Sequence, residues 1–201
     1  MSSATPKDRL LNAVVEVALA GGITELSLRA IATEAGTSHR MLIHHFGSRE
    51  GLLVEVIRAV EERQRAVLGG LGTDDEGVPE DLALRFWEHL RSPDLAAQER
   101  LFFEVYGQAL QGRAWARPLL DGVVEDWVVP AAARFEAAGA SPAAARIMAR
   151  LSVAVGRGLL LDVLATGDDQ EVDEAMRYFL AMIYAQPPVP KGQAVVTVDP
   201  R

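Results

Sequence analysis

Arg40 and His44 stand four residues apart and offer recognition chemistry rather than catalysis. A guanidinium donates in pairs to a guanine edge or a phosphate, and an imidazole makes either kind of contact singly. If the surrounding residues are helical, a turn of about 100° per residue puts both on one face. Leu42 and Phe46, also four apart, then occupy the opposite face as core, with Met41 and Ile43 on the flanks. Further donors cluster nearby: Thr24, Ser27 and Arg29 before this segment, Thr37, Ser38 and His39 at its start, and Arg49 after it. These eleven side chains, Phe46 and Leu42 excepted, are the expected DNA contacts. His39, His44 and His45 are three of the four histidines, yet they do not share one face, and no cysteine or nearby acid completes a tetrahedral set. No metal is expected there.

The elements that must hold these residues are legible from their ends. Ser27 suits the N-cap of a short helix with Leu28, Ile31 and Ala32 on one side; Gly36 suits its left-handed end, and Ser38 caps the next helix. This is a helix-turn-helix whose second helix carries Arg40 and His44. Ser48 caps a third helix beginning Arg49-Glu50, where exposed amides together with Arg49 would suit a phosphate. Thr24 and Ser27 are helix-start hydrogen bonders as much as phosphate ligands, while His45 and Phe46 are expected in the core.

Taken in order, Leu26-Ser-Leu-Arg-Ala-Ile-Ala32, Ala35-Gly36-Thr37-Ser38 and His44-His45-Phe46-Gly47-Ser48-Arg49-Glu50 resemble the DNA-binding domain of the TetR family of bacterial transcriptional regulators. Gly22-Ile23-Thr24, Leu42 and Leu52-Leu53 extend the likeness, which spans residues 7 to 55. Three departures bear on contacts. Ile43 stands where the family usually has a phosphate-binding Tyr, Arg40 where Gly is common, and Arg49 where Lys is usual. The first removes one backbone contact; the second offers a replacement.

Composition agrees with an all-α chain. Of 201 residues 49% are apolar and only 6% aromatic, and no sustained alternation appears outside Ala194 to Val198. The net charge of −8 is foreign to a DNA binder until the chain is divided. The first fifty residues carry five cations and five acids, so the whole excess lies beyond them. A neutral module with cations on one face still binds phosphate, while an acidic remainder discourages nonspecific coating. There is no cysteine, the start is short and polar, and no uncharged apolar run reaches membrane-spanning length. A cytoplasmic protein with no membrane partner is expected.

Beyond residue 50 the pattern is helix after helix. Leu52 to Leu68 continues the third element, Glu80 to Leu90 begins after Pro79, and Leu95 to Gln111 follows Ser92-Pro93-Asp94. Ala114 to Ala138 has helical composition but must kink or split at Pro130. Ser141-Pro142 starts a helix to Leu164, and Val172 to Tyr184 is the last. The domains expected are 1–50, a three-helix DNA-binding unit; 51–186, a helical ligand-binding and dimerisation unit; and 187–201, a Pro-rich tail without fixed structure.

The helix ending at Leu164 is apolar almost all round, so it needs cover on both sides. A second copy of the chain is the simplest cover, as the family resemblance also implies. Arg157, Leu160, Leu161, Leu164, Tyr178 and Met182 are the expected homodimer contacts. Aromatics concentrate between residues 86 and 127, and Phe86, Trp87, His89, Phe102, Phe103, Tyr106, Arg113, Trp115 and Trp127 are the expected ligand contacts. No nucleophile elbow, phosphate loop or metal-binding His motif is present. Hence neither an enzyme nor a cofactor is expected. The reading is a ligand-responsive repressor released from a palindromic operator by a small-molecule inducer, with a ligand-independent DNA-binding or interaction protein as the alternative.

Overall fold

The computed structural model describes residues 5–185 apart from 22, 24 and 71–78. Among these, nine α-helices and two short 3-10 turns follow one another, with no strand. They are α1 (Pro6–Gly21), α2 (Leu28–Glu34), α3 (His39–Phe46), α4 (Arg49–Gly70), α5 (Pro79–Leu90), α6 (Ala96–Leu110), α7 (Glu125–Ala137), α8 (Pro142–Thr166) and α9 (Asp169–Tyr184). The 3-10 turns are Pro93–Leu95 and Arg117–Leu120.

Helix starts follow the expected caps. The Ser27 hydroxyl accepts from the Ala30 amide, Ser38 from Met41, and Ser141 from Ala144. Each satisfies one of the amides that a first turn leaves unpaired. Gly36 ends the α2 turn with φ +65. Gly51 meets a different demand: a Cβ there would lie 2.4 Å from the Phe46 carbonyl oxygen, so only glycine lets α4 start this close to the end of α3.

The first core cluster takes Val14, Val15 and Ala18 from α1, Ile31 and Ala32 from α2, Leu42 and Phe46 from α3, and Leu52, Leu53, Val56 and Ile57 from α4. Leu42 is 1% exposed, and emptying such a site costs about 2–5 kcal/mol. The same cluster continues into Leu101, Phe102, Val105 and Ala109 of α6. The expected boundary at residue 50 therefore falls inside a shared core: the first two turns of α4 complete the helix-turn-helix unit. Two smaller clusters lie at the other end, one joining α7, α8 and α9 around Val128, Phe135 and Ala149, the other joining α5, α8 and α9 around Trp87, Leu160 and Met176.

One helix expectation needs correction. Residues 114–124 are not α-helical; Pro118 enters a 3-10 turn and Gly122 takes φ +79, so α7 begins only at Glu125. Pro130 stays inside α7 on its exposed face and does not split it. The stretches from 71 to 78 and from 186 onward lie outside the described residues, as do the expected tail and the alternation at 194–198.

Candidate nucleic-acid interface and cavity

The opposition of Arg40 and His44 to Leu42 and Phe46 is present. Leu42 and Phe46 are buried, whereas His39, Arg40, Met41, Ile43 and His44 form an exposed face on α3. Arg29 is exposed on α2, and Thr37 is half-buried just before α3. Ser27 and Ser38 spend their hydroxyls on caps and remain exposed. Thr24 lies outside the described residues. Arg49 departs from expectation. Its Nε donates to the Leu26 carbonyl at 3.0 Å and its Nη2 to the Ile23 carbonyl at 3.4 Å, so the guanidinium locks the approach to α2 against the start of α4. The Ile23 carbonyl also accepts from the Leu26 amide, so the guanidinium adds a second donor to a turn that is already formed.

The second site is a partly open cavity of about 390 Å3 lined by α4 to α9. That is within the range of small-molecule pockets. Of the nine aromatic and polar residues expected there, Phe86, Trp87, Phe102 and Trp127 line it. His89, Phe103, Tyr106, Arg113 and Trp115 do not. Phe103, Tyr106 and Trp115 pack onto the first core cluster instead, and Arg113 is exposed in the turn after α6.

Polar groups absent from the sequence-based set supply the cavity's electrostatics. Glu61 and Gln64 come from α4, Glu99 from α6, Arg134 from α7 and Arg157 from α8. Trp127 Nε1 donates to Glu61 Oε2 at 2.5 Å, and Gln64 Nε2 donates to Glu99 Oε1 at 3.0 Å. Arg157 lies 3.6 Å from Glu61, donates to the Val123 carbonyl, and holds its guanidinium 5.1 Å from the Phe102 ring centre. Arg134 donates to the Leu68 carbonyl. Burial raises the Glu61 carboxyl above its ordinary range against the lowering effects of Trp127, Arg157 and Arg65. Burial pushes Glu99 up to about 7, because its hydrogen bond from Gln64 offsets only part of the lost hydration and Glu61 lies nearby.

Arg157 and Leu160 thus face their own chain's cavity and are corrected as dimer contacts. Leu160 is 5% exposed and packs with Trp87 and Met176. A helix apolar all round finds part of its cover in α5, α7 and α9. What it leaves uncovered lies on the other side: Leu161 is 51% and Tyr178 69% exposed, with Met182, Ile147 and Leu151 also exposed and Leu164 half-buried.

Among the described residues no group of His, Cys, Asp and Glu could hold a metal, and no helix is long and apolar enough to cross a membrane. Residues 10–56 match the profile of bacterial regulatory proteins, tetR family. No curated protein matches the chain in sequence. Solved structures do match in fold. A transcriptional regulator from Rhodococcus sp. Rha1 superposes with a TM-score of 0.69 at 20% identity, over 89% of this chain and 96% of that one. The multidrug binding protein EbrR complexed with imidazole gives 0.62 at 28% identity, over 94% of each chain. EbrR complexed with proflavin gives 0.61 at 27% identity, over 88% of this chain and 98% of that one. Residues 10–56 thus carry the DNA-binding domain pattern of the tetR family of bacterial regulatory proteins, and the chain as a whole has the fold of these solved regulators.

Proposed function

We propose that the chain is a cytoplasmic, homodimeric repressor that holds a palindromic operator through α3 and releases it when a small organic molecule fills the cavity. The observation that carries this reading is the double membership of α4. Its first turns, Leu52 to Ile57, are core of the helix-turn-helix unit, and Glu61, Gln64 and Leu68, one to three turns further on, are wall of the cavity. An occupant that shifts Glu61 or Gln64 moves a helix whose other end carries α3. The effector releases DNA only to the extent that it prefers the DNA-incompetent conformation. EbrR, solved with imidazole and with proflavin, is a neighbour of this fold that takes organic molecules.

In this reading Arg40 and His44 reach base edges, Met41, Ile43 and His39 line the groove, and Arg29, Ser27, Thr37 and Ser38 meet phosphates. Residues 1 to about 57 form the DNA-binding unit and the remainder the sensing and dimerising one. The exposed apolar strip of Leu161, Tyr178 and Met182, with Ile147 and Leu151, is where a second copy would pack. A twofold axis through α8 and α9 requires an inverted-repeat operator with half-sites about one helical turn or slightly more apart.

The test is selection of bound duplexes from a random DNA pool, followed by thermal-shift screening of a metabolite and drug library and DNA binding with each hit. An inverted repeat, and a stabilising compound that releases it, are expected. A non-palindromic site, or no releasing compound across a broad library, would favour a ligand-independent DNA binder.

A further inference from the structure

The cavity holds two carboxylates with different occupations. Glu61 is answered within the chain by the Trp127 indole and the Arg157 guanidinium. Glu99, buried on α6, has a hydrogen bond from Gln64 on one oxygen, and among the described residues no cation pairs with it directly. The charged groups facing it are Glu61 on α4, which opposes its ionisation, and Arg157 on α8, which favours it; among the described residues α1 and the two 3-10 turns packed on α6 set no titratable group against it. The walls around this acid are rings and aliphatic chains: Phe86, Trp87, Phe102, Trp127, Leu160 and Met176. Both arginines of the cavity are already committed, Arg157 to Glu61 and the Val123 carbonyl, Arg134 to the Leu68 carbonyl.

Resting on the effector-cavity reading above, we propose that the ligand is a lipophilic organic cation with a flat aromatic body, and that Glu99 receives its charge. An anionic ligand would have to compete for Arg157 with the Glu61 carboxylate and the Val123 carbonyl, or for Arg134 with the Leu68 carbonyl, and would sit beside two acids. A neutral apolar one would leave the acid, protonated or not, buried against rings with no hydrogen-bond partner beyond Gln64 among the described residues. A cation satisfies it and gains from the indole and phenyl faces. In the free protein the burial of Glu99 keeps its proton to about pH 7. Binding of a cation drives that proton to solvent and leaves the carboxylate paired with the ligand. Cation affinity is therefore linked to pH, with protonation competing against the ligand below neutrality.

The experiment uses the full chain and two flat tricyclic probes whose charge does not change between pH 6 and 8, N-methylacridinium and anthracene-9-carboxylate. Calorimetry is run in buffers of different protonation enthalpy. N-methylacridinium is expected to bind, to release close to one proton at pH 6, and to gain about tenfold in affinity from pH 6 to pH 8, which a group near pH 7 in the free protein and ionised in the complex requires. Glu99→Gln, an isosteric change that removes no volume, should bind this cation at least about tenfold more weakly at pH 8 and with no pH slope. Glu61→Gln should keep the slope. Equal or tighter binding of anthracene-9-carboxylate, an unchanged slope in Glu99→Gln, or no binding of the cation would overturn the proposal. DNA release is read separately. If the cation binds with the expected slope yet leaves DNA bound, the repressor reading fails and this one stands; if anionic or neutral compounds bind the cavity and release DNA, the reverse holds.

Discussion

Trp127 and Glu61 are joined by a hydrogen bond of 2.5 Å that ties α7 to the middle of α4. The bond sits between the two ends of α4 that matter: one turn before it lies Ile57 in the helix-turn-helix core, one turn after it Gln64 in the cavity. Arg65 adds a contact to the same pair, 3.8 Å from Glu61 and 5.7 Å from the Trp127 ring centre. A ligand that displaces the indole therefore loosens the clamp that sets the pitch of α4 over the core.

Trp127→Phe keeps the ring's apolar body and removes the donor, leaving Glu61 buried with one bond fewer. A loss of about 1–3 kcal/mol is expected in chemical denaturation. Operator affinity without ligand should weaken little, while the ligand concentration needed for half-release should change by more than the change in ligand affinity. Parallel shifts in both would show that the indole only binds and does not couple.

Arg40 and Arg49 should separate recognition from architecture. Arg40→Ala removes a base or phosphate contact worth about 1–3 kcal/mol, so operator binding drops about tenfold or more with an unchanged melting curve. Arg49→Ala removes the guanidinium's bonds to the Leu26 and Ile23 carbonyls and should lower the melting temperature of the DNA-binding unit. If Arg49→Ala weakens DNA binding with no loss of stability, the guanidinium leaves its carbonyls to meet phosphate.

Much of this was legible beforehand because it rests on local rules. Ser27, Ser38 and Ser141 announce helix starts through a hydroxyl in reach of an amide three residues on, and Leu42 with Phe46 declares one face of α3. The cavity was half legible. Aromatic clustering picks out Phe86, Trp87, Phe102 and Trp127 but cannot separate them from Phe103, about 100° round α6 from Phe102, from Tyr106, which stacks on Phe102 one turn along, or from Trp115 in the turn beyond α6. Glu61, Gln64 and Glu99 did leave a signal: Ile57, Glu61, Gln64 and Leu68 repeat at core spacing, as do Glu99 and Phe102. A polar residue at an apolar period marks a buried site. Arg157 and Leu160 were misplaced because helical periodicity gives α8 two apolar sides and does not say which belongs to the chain itself.

That division of α8 is testable at adjacent residues. Leu161→Glu places a charge on the exposed strip and should convert a dimer to monomer in sedimentation, with ligand binding and helicity retained. Leu160→Glu buries an unpaired acid beside Trp87 and Met176 and should destabilise the chain whether or not it is dimeric. A dimer that survives Leu161→Glu would put the interface elsewhere than α8 and α9.

Glu99 gives stability a pH dependence of definite sign. Its folded-state value, about 7, lies above the ordinary 4.5, so the native state holds the proton more tightly than the unfolded chain does. Below about pH 4.5 the group is neutral in both states and costs nothing. As pH climbs from 4.5 to about 7 the unfolded chain gives up its proton first, and the fold loses stability over that window before levelling off. At about 1.4 kcal/mol per unit the loss amounts to as much as about 3 kcal/mol at pH 8. Glu99→Gln cannot ionise and keeps an oxygen to accept from Gln64. It should match the parent protein near pH 4.5 and melt several degrees higher at pH 8, a domain of this size moving about 2–4 °C per kcal/mol. The raised carboxyl of Glu61 remains in the variant, so the expected result is a shallower decline rather than a flat one. Melting curves of the two proteins that stay parallel from pH 4.5 to 8 would mean that Glu99 is hydrated in the native state, and the counter-ion role assigned to it would fall with that result.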